Sequence, residues 1–119
     1  MLAVHQIDWI NANGGLEWAA ARCEQSARSL YSWAESSASA RPFVGRLDQR
    51  SSVVITIDLD DSIDAAAVTA ALRANGIVDT EPYRKLGRNQ IRIATYPAVE
   101  PDDVVALTGC LDYVIERLT

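Results

Sequence analysis

Two stretches of this chain, SVVITIDL at residues 52–59 and QIRIATY at 90–96, are rich in β-branched residues and too short for ordinary helices. Around them lie segments whose apolar residues recur at spacings of three and four, as in half-buried helices. A chain with this mixture can fold only by laying helices on a small sheet. Leu16, Ala20, Cys23, Ala27, Leu30 and Ala34 predict one long helix with a continuous buried stripe, starting at Gly14 and Gly15. Before it, MLAVHQIDWI has helical character through Leu2, Ile7, Trp9 and Ile10, and NANGG reads as helix end and turn.

The segment SSASARPFVGRLD is rich in small and turn-forming residues, with Pro42 and Gly45, and reads as a connector loop before the strand SVVITIDL. DDSIDAAAVTAALRANG predicts a helix with capping candidates Asp61 and Ser62, inner residues Val68, Ala71 and Leu72, and Gly76 as left-handed terminator. IVDT is a short strand or strand end. In QIRIATY, Ile91, Ile93 and Thr95 face one way, so Arg92 and Ala94 project from the other side. Pro101 opens a last helix whose stripe is Val104, Leu107, Leu111, Val114 or Ile115, and Leu118. The expected order is ααβαββα: an α+β two-layer sandwich, its small sheet mostly antiparallel and covered by helices on one face. At 119 residues the chain has room for one domain with a single core, spanning residues 1–119.

Several function classes recede on this reading. A formal net charge of −5 repels a nucleic-acid backbone, so any anion bound here is small and held by local charge. No apolar run approaches the roughly 20 residues that span a bilayer. MLAVHQIDWINANGGL lacks the basic flank, long apolar centre and cleavage site of a secretory signal, which implies a cytoplasmic protein. Cys23 and Cys110 fit no metal-ligand spacing and read as reduced thiols used as small core residues. His5, on an apolar helix without a second ligand nearby, reads as a satisfied structural histidine. DLDDSID lacks the glycine and terminal glutamate of a calcium loop and reads as a solvated helix cap. No metal site, Gly-rich phosphate loop or nucleophile triad is expected.

The chemistry-bearing stretch is EPYRKLGRNQIRIATYP, residues 81–97, where Arg84, Lys85, Arg88 and Arg92 occur with no acid after Glu81. Guanidinium groups present paired donors that match carboxylates and phosphates. Arginines spaced by four can equally decorate a solvated face, each paired with an acid of this acid-rich chain. Gly87 permits a sharp turn or close ligand approach, and Arg92 sits within an apolar strand where an unpaired charge is costly and calls for an anion. That anion is either a ligand or an internal carboxylate.

LRANGIVDTEPYRKLGRNQIRIATYPAVEPDDVVALTGCLDYVIERL resembles the C-terminal end of the phosphoserine aminotransferase family, in its actinobacterial branch. The resemblance continues upstream through IDWINANGGLEWAAARCEQSARSLYSWA and so covers nearly the whole chain. It implies the small C-terminal domain of a pyridoxal-phosphate enzyme of class V and fold type I, whose large domain is absent here. An aminotransferase needs a lysine to bond its cofactor. The sequence has one lysine, Lys85, in the basic loop, which makes it a poor candidate for that role. The resemblance therefore implies a fragment with no catalytic residue and no cofactor of its own, inactive alone.

Within the family, a substrate-carboxylate arginine on the strand after the loop matches Arg92. A phosphate-contacting His-Arg pair falls on Tyr83 and Arg84, with tyrosine in place of histidine, and the longer spacing to Arg92 makes Arg88 a further phosphate ligand candidate. The implied reaction of the intact enzyme is amino transfer between phosphoserine and 2-oxoglutarate, giving 3-phosphohydroxypyruvate and glutamate, for serine biosynthesis. The implied partners are the large domain and a second subunit of a homodimer. The alternative is a stand-alone α+β interaction or anion-binding module without catalysis. Trp9, Trp18 and Trp33 cannot all lie on the principal stripes, so they either pack at the edge of the core or mark a docking face.

Overall fold

The computed structural model describes residues 2–118. Helix α1 (Leu2–Asn13) is followed by α2 (Gly15–Ser36), strands β1 (Ala40–Pro42) and β2 (Val54–Leu59), α3 (Ala65–Ala74), β3 (Gln90–Ala94) and α4 (Pro101–Leu118). Between α1 and α2 the backbone turns through Gly14 (φ 127) and Gly15 (φ 77). A Cβ at Gly14 would lie 2.9 Å from Cβ of Trp18, so both backbone angle and space require glycine there.

The three strands form one antiparallel sheet in the order β1-β2-β3. Ala40 pairs with Leu59 and Pro42 with Ile57 on one side of β2, while Ile55 pairs with Ile93 and Ile57 with Ile91 on the other. Alternation then gives the sheet two chemically distinct faces. One bears Ile55, Ile57, Leu59, Ile91 and Ile93, all buried against Ala27, Leu30 and Ala34 of α2, Val68 and Leu72 of α3, and Val104, Leu111 and Ile115 of α4. The other bears Arg41, Thr56, Asp58, Gln90 and Arg92 and carries none of that apolar cluster. The expected α+β two-layer architecture is therefore present, with a wholly antiparallel sheet.

Its third strand is elsewhere than expected, so the order along the chain is ααββαβα. Ala40–Pro42, in the presumed connector, forms β1, a three-residue edge strand in which Pro42 has no ladder hydrogen bond to donate. Ile77–Thr80 runs beside β3 but makes a single ladder-like bond, from Arg92 N–H to Thr80 O at 2.9 Å. Asp79 in the left-handed region (φ 64) breaks the extended backbone there.

Local differences have equally simple causes. The cap of α3 is Asp64, whose Oδ1 accepts from Ala66 N–H at 3.0 Å, and not Asp61 or Ser62. Asp60 instead closes a turn by accepting from both N–H and Oγ of Ser62. Gly76 does end α3 with positive φ. The α2 stripe drifts at its start: Ala19 is buried, whereas Ala20 is exposed and Leu16 is 83% exposed. Leu118 is also exposed at the end of α4. Cys23 lies in the core, but Cys110 is exposed on α4, so only one thiol serves as a core residue. His5 is exposed on α1 and takes no part in the core.

The tryptophans sit at the core's margin. Trp9 of α1 and Trp18 of α2 meet edge to face, with centroids 5.1 Å apart. Trp33 Nε1 donates to Asp112 Oδ1 at 2.7 Å, tying α2 to α4.

Candidate anion-binding site

The open face of the sheet is organised in rows set by strand register. One row runs Arg41 (β1), Asp58 (β2), Gln90 (β3); the next places Thr56 beside Arg92. Phe43 N–H bonds Thr56 O at 3.1 Å, which continues β1 by one residue. Arg92 is exposed at the middle of β3 because the strand's alternation sends Ile91 and Ile93 inward. Arg92 projects from the sheet as expected, but the expectation that an unpaired charge there is costly is corrected, because the side chain is exposed on the open face.

The residues before β3 form a compact loop. Arg84–Leu86 make a single 3-10 turn, and Gly87, left-handed at φ 66, ends it. Three consecutive side chains then fasten the loop to the body. Arg88 grips Asp58 through Nη2 to Oδ2 at 2.9 Å and Nε to Oδ1 at 3.3 Å. Gln90 Nε2 adds a bond to Asp58 Oδ1 at 2.9 Å. Asn89 donates to Ile63 O at 2.7 Å and accepts from Ala65 N–H at 2.9 Å, so it satisfies one of the free donors at the start of α3. Tyr83, Arg84 and Lys85 are left exposed on the outer side of an anchored loop.

Ion pairing separates the arginines of the basic stretch. Arg88 is internally neutralised by Asp58, while among the described residues neither Arg84 nor Arg92 has a carboxylate in salt-bridge contact. Burial pushes the Asp58 carboxyl up, but hydrogen bonds from Arg88 and Gln90 and the charges of Arg88 and Arg41 outweigh it, and the group is held below the ordinary aspartate range. Arg88 also stacks over Phe43, 4.8 Å from the ring centroid. With Arg41, Arg88 and Arg92 set against Asp58, this face is positive on a negative protein.

Arg84, Gly87, Arg88 and Asn89 line a shallow cavity of about 440 Å³ that reaches the start of α3 at Asp64 and Ala65. A larger hollow of about 620 Å³ lies between residues 76–80 and α4; it is mainly apolar and no cationic side chain lines it. Lys85 lines neither. Among the described residues no group of three or more His, Cys, Asp or Glu could hold a metal ion, and no helix is long and apolar enough to cross a membrane.

Arg41, Thr56 and Asn89 were not singled out by sequence reasoning, and Asp58 was read with the rest of DLDDSID as part of a solvated helix cap, whereas it lies buried in β2 and paired with Arg88. An acid within SVVITIDL was the available signal, since a carboxylate inside a buried strand needs a partner.

No protein-family model matches the chain. A protein described as a putative phosphoserine aminotransferase of Mycolicibacterium vanbaalenii is 61% identical over 118 residues, 99% of this chain and 32% of the relative. The phosphoserine aminotransferase of a Nocardioides species is 59% identical over 117 residues, 98% of this chain and 31% of the relative. The solved phosphoserine aminotransferase of Bacillus circulans subsp. alkalophilus superposes with a TM-score of 0.83 at 25% identity, covering 94% of this chain and 30% of that one. The chain thus spans about a third of the length of the relatives it matches.

Proposed function

We propose that this chain, a homologue of the phosphoserine aminotransferases, is the C-terminal small domain of such an enzyme and supplies the cations that grip its anionic substrates. The observation that carries the reading is Arg92: a guanidinium on the open sheet face, opposite Thr56 and without a carboxylate partner among the described residues. A planar fork of donors there suits an α-carboxylate, and Arg84, on the anchored loop, suits the distal phosphate of phosphoserine or the γ-carboxylate of 2-oxoglutarate. Tyr83 offers a neutral hydrogen bond beside it.

In this reading the chain's residues bind and orient. Clamping both ends of a dianionic amino acid fixes its α-carbon for proton transfer by groups outside this chain, an effect of proximity. Pyridoxal phosphate, which would supply the electron sink for amino transfer, and its lysine belong to the other two thirds of the enzyme. One of the solved relatives, 26% identical with a TM-score of 0.81, is a phosphoserine aminotransferase described with a Schiff base. The same reading implies a cytoplasmic homodimer, serine biosynthesis, and no activity from the 119 residues alone.

The test is a chimera of the Mycolicibacterium vanbaalenii relative in which this chain replaces the matching third. Amino transfer from phosphoserine to 2-oxoglutarate is expected, with kcat/KM falling about 100-fold for Arg92→Ala. A soluble, cofactor-loaded chimera without amino transfer would overturn the reading and leave a stand-alone anion-binding module.

A further inference from the structure

Asp58 is an unusual feature of an anion-binding surface: a carboxylate only 8% exposed, on the same sheet face as Arg92 and one row away. Diagonal neighbours in an antiparallel pair stand roughly 7–8 Å apart, a range at which a bare carboxylate repels an incoming anion. Arg88 covers it with two hydrogen bonds, Gln90 adds a third, and Arg41 faces it from β1. The Phe43 ring, 4.8 Å from the guanidinium carbon, adds a second contact to the Arg88 side chain, which is 45% exposed.

We propose that Asp58 and Arg88 form a positioning pair: Asp58 withholds Arg88 from the substrate and fixes the loop bearing Arg84, while Arg88 cancels the charge that Asp58 would present to an anion at Arg92. This inference rests on the reading of Arg92 and Arg84 as substrate ligands. It removes Arg88 from the ligand set and makes Asp58 a determinant of which anions are accepted. Of the three arginines of the basic stretch, a phosphate monoester or dicarboxylate then meets Arg84 and Arg92 and not Arg88. Breaking the pair changes recognition in opposite directions according to which partner is removed.

Two experiments decide it. In the chimera, Arg88→Ala is expected to raise KM for phosphoserine about tenfold with little change in kcat, and the double variant Asp58→Asn with Arg88→Ala to recover most of that loss. A double variant as impaired as Arg88→Ala, or worse, makes Arg88 a direct ligand and overturns the proposal. In the 119-residue chain, the arginine Nε–Hε NMR signals are followed during titration with inorganic phosphate. The Arg88 signal should stay in place in the natural sequence and respond in Asp58→Asn. A natural-sequence Arg88 signal that moves with phosphate overturns the pair directly, without any variant having to fold. Silent Arg84 and Arg92 signals together with an inactive chimera would reject the functional reading instead, while the behaviour of Arg88 still reports on the pair.

Discussion

Arg22 of α2 reaches the turn before α4, its Nη2 2.8 Å from Glu100 Oε1, while its Nε donates to Pro97 O at 2.6 Å. The Arg22 side chain is 16% exposed and the Glu100 side chain 62%. The same guanidinium lies against the rings of both Trp9 and Trp18. One residue thus joins α1, α2 and the segment leaving β3. Because Nη2 is off hydrogen-bond alignment with Glu100, the bond to Pro97 and the ring contacts carry most of the interaction.

Replacing Arg22 by leucine should therefore cost about 2–4 kcal/mol, from one charge-assisted hydrogen bond and two ring contacts. Removing the exposed Glu100 carboxylate should cost less than about 1 kcal/mol. Urea denaturation of both variants checks the ranking. Equal losses would mean that the ion pair dominates.

Leu30 and Leu16 lie on the same helix and the same expected stripe, yet Leu30 is fully buried and Leu16 is 83% exposed. Leu30→Ala should cost about 3–5 kcal/mol through lost burial and a cavity. Leu16→Ala should fall within about 0.5 kcal/mol of the parent. Thermal or urea midpoints of the two variants give the comparison, and similar losses would place Leu16 in the core.

These two leucines show how far periodicity reads. Spacing located α2, α4 and the inward face of β3, because in each case burial repeats for several turns or residues and no local feature competes. It failed where few residues decide. Leu16 belongs to the first turn beyond the Gly14–Gly15 bend, where Ala19 is the first buried residue of the helix. Strand β1 is three residues with a proline, and its existence depends on β2 offering an edge, which no local signal in Ala40–Pro42 announces. Ile77–Thr80 has strand composition but is broken at Asp79. In the basic stretch, charge density marked the arginines together, whereas the division between a paired Arg88 and unpaired Arg84 and Arg92 follows from Asp58, thirty positions before Arg88 and brought beside it by sheet register.

Thiol chemistry separates the cysteines. Burial pushes the Cys23 thiol up, with the nearby Arg22 charge opposing it only partly, so at neutral pH it is both covered and protonated. Cys110 is exposed on α4. A thiol-reactive disulfide reagent at pH 8 should label one site quickly in the folded chain and a second only on denaturation. Cys110→Ser should abolish the fast phase; its survival would place Cys23 within reach of solvent.

Acid stability depends on the same carboxylate that anchors the loop. Asp58 titrates below its ordinary value of 3.8 in the folded chain, so the unfolded chain takes up its proton first. Its contribution is fully present above about pH 4 and is lost as pH falls through the lower folded value. Asp60, bonded by Ser62, and Glu81, bonded by Arg73, shift the same way and act in the same window. Unfolding free energy should therefore fall steeply with acid below about pH 4, and Asp58→Asn should flatten that slope while lowering stability at neutral pH. Denaturation curves recorded between pH 2 and 7 measure both effects. An unchanged slope in the variant would mean that Asp58 has an ordinary affinity for protons, and that the grip of Arg88 and Gln90 on it is weaker than their distances imply.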